Sequence, residues 1–202
     1  MFSYHDRWEK LTQSDFEKMS YDVYAYNRGF YRWTEAYLMR SDYKQLDMPE
    51  YYVDESVTEA GKFNQEAEYY LQKMKDFCED KDIQLVLIKA PMEGWTSGIH
   101  NAVQQYADES GIAFFDFNYV PYIDEISYDH AVDSWDGVHM NYWGAEKLSS
   151  WLGMYLVDVC GVSDVREDSR YAFLGQEAIK YDEDIARDIG LTRIDNLTDY
   201  LS

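Results

Sequence analysis

An aspartate and a histidine three residues apart form the pair in this chain with the clearest potential for chemistry. They are Asp136 and His139, in the segment 133–148, which reads DSWDGVHMNYWGAEKL. A carboxylate beside an imidazole holds the ring in one tautomer and stabilises its protonated form. Such a pair is the base half of a Ser-His-Asp arrangement. A loop histidine without a catalytic role is the plain alternative, since D-x-x-H also occurs by chance.

The residues after His139 predict the start of a helix. Asn141 is a favoured N-cap residue, and the apolar positions that follow predict a helix over residues 142–159. Gly144 and Ala145 leave room for the first turn of this helix to approach a neighbouring backbone closely. We therefore expect the Asp-His pair to lie on a loop at the mouth of a scaffold.

A divalent metal site is a second interpretation of the same region. His130, Asp133, Asp136 and His139 recur at three-residue spacing, and these residue types bind metals. On a helix this spacing would gather the ligands on one side, but Gly137 and Ser134 favour a loop. We therefore expect no metal and no cofactor, and a melting temperature that falls on addition of a chelator would favour the metal site.

The charge of the chain argues against nucleic acids and anionic membrane surfaces as partners. Over 202 residues, 18 Lys and Arg stand against 39 Asp and Glu, a net charge of -21, which repels phosphate groups. The length fits one domain, or one domain with an appendage. Cys78 and Cys160 have no companion at metal-ligand or redox spacing, and we expect inert buried thiols.

Helices and strands alternate in the middle of the sequence. Apolar residues at three-and-four spacing predict a helix over 63–80 that lies on a sheet, and the apolar run 83–89 predicts a buried strand. A second helix over 99–108, stopped by Gly111, and a second strand over 112–117 repeat the order. The inward-facing positions of the first helix are expected to be Ala67, Tyr70, Leu71, Met74, Phe77 and Cys78.

This alternation predicts a parallel α/β sheet covered on both faces. Ligands of such sheets bind beyond the carboxyl ends of the strands, here around 91–95 and 118–122. We expect a loop over 121–138, a break at Gly161, and a tail over 165–202 that alternates short helical patterns with acidic turns.

The pattern D-x-x-H-x-N-x-x-G-A-x-K-x-S, from Asp136 to Ser149, resembles the last sequence block of the SGNH/GDSL hydrolase superfamily. Residues 70–118 are similar to a bacterial branch related to the D-alanyl-lipoteichoic acid biosynthesis acyltransfer proteins. The matching features are Tyr70-Leu71-x-x-Met74, Leu85-Val86-Leu87-Ile88-Lys89-x-Pro91, Trp95, His100-Asn101, Tyr106-Ala107 and Phe115-Asp116-Phe117-Asn118, and the segment from Tyr4 to Leu11 looks like a mid-domain landmark of that branch.

The resemblance covers most of residues 1–160 and implies a fold. That fold is an SGNH-hydrolase-like, flavodoxin-like domain over 1–160, with a three-layer α/β/α parallel sheet that lacks its first strands. A helical C-terminal appendage over 161–202 follows it.

The resemblance also implies roles for individual residues. His139 would be the general base and Asp136 its orienting partner, while Gly94, Trp95 and Asn101 would contribute to an oxyanion or substrate pocket. The superfamily's serine lies in a Gly-Asp-Ser-like block after the first strand, and this chain contains no G-D-S and no G-x-S-x-G. The nucleophile therefore stays unassigned, as expected of a truncated domain.

The function implied is that of a serine esterase or acyltransferase acting on an acyl ester, including one on a cell-envelope glycan. The alternative is a non-catalytic binding module for a glycan or a partner protein. Its stacking surface could be formed by Tyr21, Tyr24, Tyr26, Tyr31, Trp33 and Tyr37.

The expected location has two versions. The sequence has no run of 18 apolar residues and no signal-peptide core, which predicts a cytoplasmic protein as written. Related proteins carry an N-terminal anchor, so an extracytoplasmic or membrane-anchored location is expected if upstream residues exist.

Overall fold

Two parallel strands form the sheet in the described part of this protein. The structure is a computed structural model that describes residues 33–45 and 52–192. Strand β1 (Val86–Lys89) pairs in parallel with strand β2 (Ala113–Asp116), with Val86 beside Ala113 and Lys89 beside Asp116. The prediction of a mixed α/β protein with parallel strands is confirmed at this level. The described sheet has two strands, so the three-layer arrangement stays a prediction, as do the domain limits at 160 and 161.

The two helices around these strands begin and end close to the predicted positions. Helix α1 (Gln65–Asp80) precedes β1, and helix α2 (Ser97–Ser110) connects the two strands. The side chain of Asn64 caps α1 by accepting a hydrogen bond from the Ala67 backbone N–H. Gly111 ends α2 in the left-handed conformation, with φ of 67°, which is the stop that the sequence predicted.

The predicted loop over 121–138 is wrong, since it contains two short helices. Helix α3 (Val120–Glu125) has a proline in its first turn, and helix α4 (His130–Asp133) is capped by the Asp129 side chain. Helices of six and four residues are too short to display a helical repeat of apolar residues. Turn chemistry decides these segments instead.

Two longer helices complete the described chain. Helix α5 (Tyr142–Asp158) matches the prediction to within one residue, and Gly161 breaks the chain after it with φ of 68°. Helix α6 (Ala172–Thr192) runs for 21 residues where short patterns and acidic turns were expected. Because Lys180 and Arg187 pair with Asp184 inside this helix, its acidic residues do not interrupt it.

The core lies between strand β2, helix α3 and helix α5. Its buried cluster consists of Phe117, Ile123, Ile126, Tyr128 and Trp151. Phe115 packs edge-on against Trp151, with ring centroids 4.8 Å apart. These contacts hold the carboxyl end of the sheet against the helix that carries the D-x-x-H block at its start.

Helix α1 differs from the prediction in which side chains it buries. Cys78 is buried as expected, but Tyr70, Met74 and Phe77 are 67%, 40% and 59% exposed. The two described strands leave these three side chains uncovered. We call Tyr70, Met74 and Phe77 the exposed stripe of α1. Both cysteines are free thiols, with Cys160 partly buried.

Within residues 33–45 and 52–192, none of the helices combines the length and apolarity needed to cross a bilayer.

Candidate functional site

Asp136 and His139 form a hydrogen-bonded pair. The ring Nδ1 of His139 lies 2.9 and 3.1 Å from the two carboxylate oxygens of Asp136. The backbone N–H groups of His139 and Val138 also donate to Asp136 Oδ1, at 2.8 and 3.0 Å. With Nδ1 donating to the carboxylate, the imidazole Nε2 is the atom that accepts a proton. The His139 side chain is 49% exposed, so a molecule in solution can reach the ring.

The carboxylate of Asp136 is kept ionised by these contacts. Partial burial raises its pKa, but the hydrogen bonds from the backbone and ring of His139 and from the Val138 N–H outweigh burial, so the pKa lies below its usual value. A negative charge at this position stabilises a positive imidazole during proton transfer.

The loop that carries the pair is a tight turn closed by backbone hydrogen bonds. Ser134 and Met140 form an antiparallel bridge, and the Trp135 N–H donates to the His139 carbonyl at 2.8 Å. Gly137 sits at the tip with φ of 86°, a conformation that favours glycine. A loop is what Gly137 and Ser134 favoured in the sequence.

Asn141 anchors this loop to its surroundings. Its side-chain oxygen caps α5 by accepting from the N–H groups of Trp143 and Gly144, at 3.0 and 3.2 Å, as predicted. Its amide nitrogen donates to three backbone carbonyls, those of Glu35, Val132 and Ser134. The side chain is fully buried, so one residue joins the helix, the loop and the segment 33–45.

Gly144 and Lys147 fix the same helix against Asp133. A Cβ at Gly144 would overlap with the Asp133 carbonyl oxygen, which is the close approach that the sequence predicted. The ammonium of Lys147 pairs with the buried Asp133 carboxylate at 2.5 Å. Burial raises the pKa of Asp133, and the hydrogen bond from Lys147 opposes this shift.

A stack of side chains backs the His139 ring. Trp33 lies 5.2 Å from the His139 ring and stacks on Trp135 at 4.9 Å with an interplanar angle of 14°. The guanidinium of Arg40 lies 4.3 Å over the Trp135 ring, a favourable cation–π distance. The stack restricts the orientations open to the imidazole.

The pair has no serine beside it in the described part of the chain. Across residues 33–45 and 52–192, no hydroxyl group hydrogen bonds to the His139 ring. Ser134, the nearest serine in sequence, is 1% exposed and its hydroxyl accepts from the Gly137 N–H at 3.0 Å. Ser134 is therefore a structural residue of the loop.

The metal interpretation finds no support in the geometry. In the described ranges, no group of three His, Cys, Asp or Glu side chains could hold a metal ion. Asp133 is committed to Lys147, and Asp136 to His139. His130 is buried against Tyr37, with ring centroids 5.7 Å apart.

The three pocket residues implied by the family resemblance lie on the loop after β1 and on α2. Gly94 is exposed, with φ of 80°. The indole Nε1 of Trp95 donates to Asp116 at 2.6 Å. The side-chain amide of Asn101 donates to the carbonyls of Val57 and Glu59, so in this structure it positions a loop.

A second aspartate–histidine pair lies at the carboxyl end of the sheet and was not assigned from the sequence. His100 Nδ1 is 2.7 Å from Asp116 Oδ2, the oxygen that also accepts from Trp95. Lys89, at the end of β1, lies beside Asp116 in the strand register, and its Nζ is 4.9 Å from the centre of the Trp95 ring. The available signal was a charged residue in each predicted strand, Lys89 at the end of the first and Asp116 one residue before the end of the second.

Burial dominates the electrostatics of Lys89. It lowers the pKa of the ammonium from 10.5 to about 8, while the negative charge of Asp116 opposes this shift. We call Lys89, Trp95, His100 and Asp116 the strand-end cluster.

The loop after β1 connects the strand-end cluster to the Asp136–His139 loop. The Glu93 N–H donates to the Gly137 carbonyl at 2.8 Å. Asn118 holds the same loop through hydrogen bonds with both backbone polar groups of Met92. The loop that carries Asp136 and His139 is therefore hydrogen bonded to the loop after β1, which lies at the carboxyl end of the sheet.

The chain matches no protein-family model, no curated protein and no solved structure.

Proposed function

We propose that this protein is a serine esterase or acyltransferase of the SGNH type, in which His139 is the general base and Asp136 its orienting partner. The observation that carries the proposal is the double contact of the Asp136 carboxylate with His139 Nδ1, beside an exposed ring. A carboxylate on one nitrogen and an open second nitrogen is the arrangement that acyl transfer requires of its base.

The chemistry follows from this arrangement. Nε2 of His139 takes the proton of a serine hydroxyl as the oxygen attacks the acyl carbon of an ester. Asp136 stabilises the resulting imidazolium, which then returns the proton to the departing alcohol. Water, or the hydroxyl of an acceptor, releases the acyl group from the serine by the same two proton transfers in turn.

In this proposal the sheet of the described residues belongs to a larger three-layer domain. The exposed stripe of α1 supports a larger domain. Exposed tyrosine, methionine and phenylalanine side chains on one helix face are typical of a surface that other elements cover. The serine then lies outside residues 33–45 and 52–192.

The test is intact-mass analysis of the purified protein after reaction with a fluorophosphonate probe. The proposal predicts a single adduct, which peptide mapping assigns to one serine. The adduct should be lost in His139→Ala and retained in Asp164→Asn, a control that removes a surface carboxylate paired with Arg166. A folded protein without an adduct, or an adduct that His139→Ala leaves unchanged, would contradict the proposal.

The stacked tryptophans bear on the alternative of a glycan-binding module. Trp33 covers Trp135 on one side, and Arg40 also lies over the Trp135 ring. Tyr37 is buried. Tyr21, Tyr24, Tyr26 and Tyr31 lie outside the described residues. Because the described aromatic rings pack on one another, their geometry favours a role in holding His139 over a role in stacking on a sugar.

A further inference from the structure

Lys89 is a partly buried cation without an acidic partner. Four Lys and Arg residues in the described ranges are partly buried, and three of them form ion pairs: Arg40 with Asp42, Lys75 with Glu79, and Lys147 with Asp133. Among the described residues, no carboxylate oxygen lies within 4.0 Å of the Lys89 ammonium, and its Nζ donates to the Ala90 carbonyl at 2.5 Å. A cation removed from water without a counter-charge is unfavourable.

The nearest carboxylate cannot serve as the counter-ion without losing other contacts. Asp116 is 1% exposed, and its Oδ2 already accepts from Trp95 and His100. Its Oδ1 accepts from the Asn118 backbone N–H at 2.8 Å. The hydrogen bonds of Asp116 thus go to Trp95, His100 and Asn118 and not to Lys89, although Lys89 and Asp116 are neighbours in the sheet.

His100 offers a second donor at the same place. Its Nδ1 is held by Asp116, and in the described part of the chain no group hydrogen bonds to its Nε2. An anion that binds beside Nε2 favours the form of the ring in which both nitrogens carry a proton, and Nε2 then donates to the anion. The strand-end cluster then presents the Lys89 ammonium and the Nε2 side of the His100 ring, with the Trp95 ring as an apolar wall.

We propose that the strand-end cluster is a binding site for an oxyanion, a carboxylate or phosphate group, held by Lys89 and His100. The site lies at the carboxyl ends of both strands, where parallel α/β sheets bind their ligands. The bound group supplies the counter-charge that Lys89 lacks. The lowered pKa of Lys89 agrees with this arrangement, because an anion at Nζ would restore the pKa toward its ordinary value.

The anionic group has two possible sources. Because the loop after β1 joins the cluster to the Asp136–His139 loop, the group can be part of the ester substrate, an assignment that rests on the proposed function. It can also be a separate small anion that binds whether or not the protein is an enzyme.

The binding test measures thermal unfolding of the protein in increasing sodium succinate or sodium phosphate, with sodium chloride keeping the ionic strength constant. A saturable rise in the unfolding temperature is expected with at least one of the two anions, since a ligand of the folded state stabilises it. Lys89→Met should weaken this binding about tenfold or more. Lys81→Met should not, because Lys81 is exposed and pairs with Asp80.

A second variant keeps the test decisive if Lys89→Met does not fold. His100→Gln removes the second ring that contacts the anion and should weaken binding of the same anion several-fold. No saturable effect in the wild-type protein, or equal affinity in the wild-type protein and the folded site variant, would overturn the proposal.

The kinetic test separates the two sources. Hydrolysis of mono-4-nitrophenyl succinate is compared with that of 4-nitrophenyl butyrate, a neutral ester of the same acyl chain length. If the anion belongs to the substrate, Lys89→Met lowers kcat/KM for the charged ester by a larger factor than for the neutral ester, so the ratio of the two falls, and Lys81→Met leaves the ratio unchanged. Anion binding that depends on Lys89, with no preference between the esters, supports a separate small anion. Anion binding without any turnover also supports the site, and contradicts only the proposed function.

Discussion

The Cα atom of Gly144 lies so close to the carbonyl oxygen of Asp133 that no side chain fits between them. This contact presses the first turn of α5 onto α4, and it sets the distance between the helix and the loop that carries the aspartate–histidine pair. It also explains why a glycine occupies the third position of a helix.

Gly144→Ala should lower the free energy of unfolding by about 1–3 kcal/mol, since the new methyl group forces two backbones apart. Gly153→Ala is the matched control, because a Cβ there meets nothing within 4 Å. In the same helix it should raise stability by about 0.5–1 kcal/mol. Urea unfolding of both variants gives the comparison, and equal effects would disprove the close contact.

Asn141→Ala should be more costly than loss of an ordinary helix cap. A cap alone contributes about 0.5–2 kcal/mol, and this side chain also donates to three carbonyls, which would be left without that donor. Asn64→Ala is the matched control, because Asn64 is exposed and its side chain makes a single capping hydrogen bond. Chemical denaturation should show the larger loss for Asn141→Ala, and similar losses would argue against the anchoring role.

His130 should make the protein sensitive to mild acid. Burial lowers its pKa from 6.5 to about 4, against the opposing charges of Asp129 and Asp136. The unfolded chain therefore binds a proton at His130 more readily than the folded protein does. The stability that His130 contributes as a neutral ring is complete above pH 6.5, and it is lost as the pH falls toward 4. Between pH 7 and pH 5 we expect His130 to account for a loss of about 1.5–2 kcal/mol.

The measurement for His130 is urea unfolding of the wild-type protein and His130→Gln at both pH values. The variant lacks the titrating ring, so its stability should fall less between pH 7 and pH 5. Each protein is compared with itself at the two pH values, so the stability that the substitution itself removes cancels from the change in the free energy of unfolding. An equal fall in the free energy of unfolding in both proteins would show that the pKa of His130 is the same in the folded and unfolded states.

Asp136→Asn should lower kcat far more than it changes KM. The amide keeps the shape of the carboxylate but no longer favours the tautomer with the proton on Nδ1, and in serine proteases the equivalent loss is on the order of 10⁴ in kcat. Steady-state hydrolysis of 4-nitrophenyl acetate gives both constants. A change confined to KM would place Asp136 in substrate binding.

Local features of the site could be predicted from the sequence. The Asp136–His139 spacing, the Asn141 cap and the small residue at 144 each involve neighbours within a few positions, so residue type alone constrains them. The helix and strand limits between residues 63 and 117 were also close, because apolar spacing determines them.

Contacts between residues on different strands and helices could not be predicted from residue type and spacing. Lys89, His100 and Asp116 meet only because the strands align Lys89 with Asp116 and α2 returns His100 to the same edge. That alignment depends on strand register, which composition does not encode. The exposed stripe of α1 was missed for a similar reason, since an amphipathic pattern shows that a face is apolar and does not show what covers it.

The most direct test of the catalytic assignment is kcat/KM for 4-nitrophenyl acetate in the wild-type protein, His139→Gln and the control Asp164→Asn. The account predicts measurable turnover that falls by about 10³-fold or more in His139→Gln and is unchanged in Asp164→Asn. Turnover in His139→Gln at the wild-type rate, or no turnover in the folded wild-type protein, would contradict it.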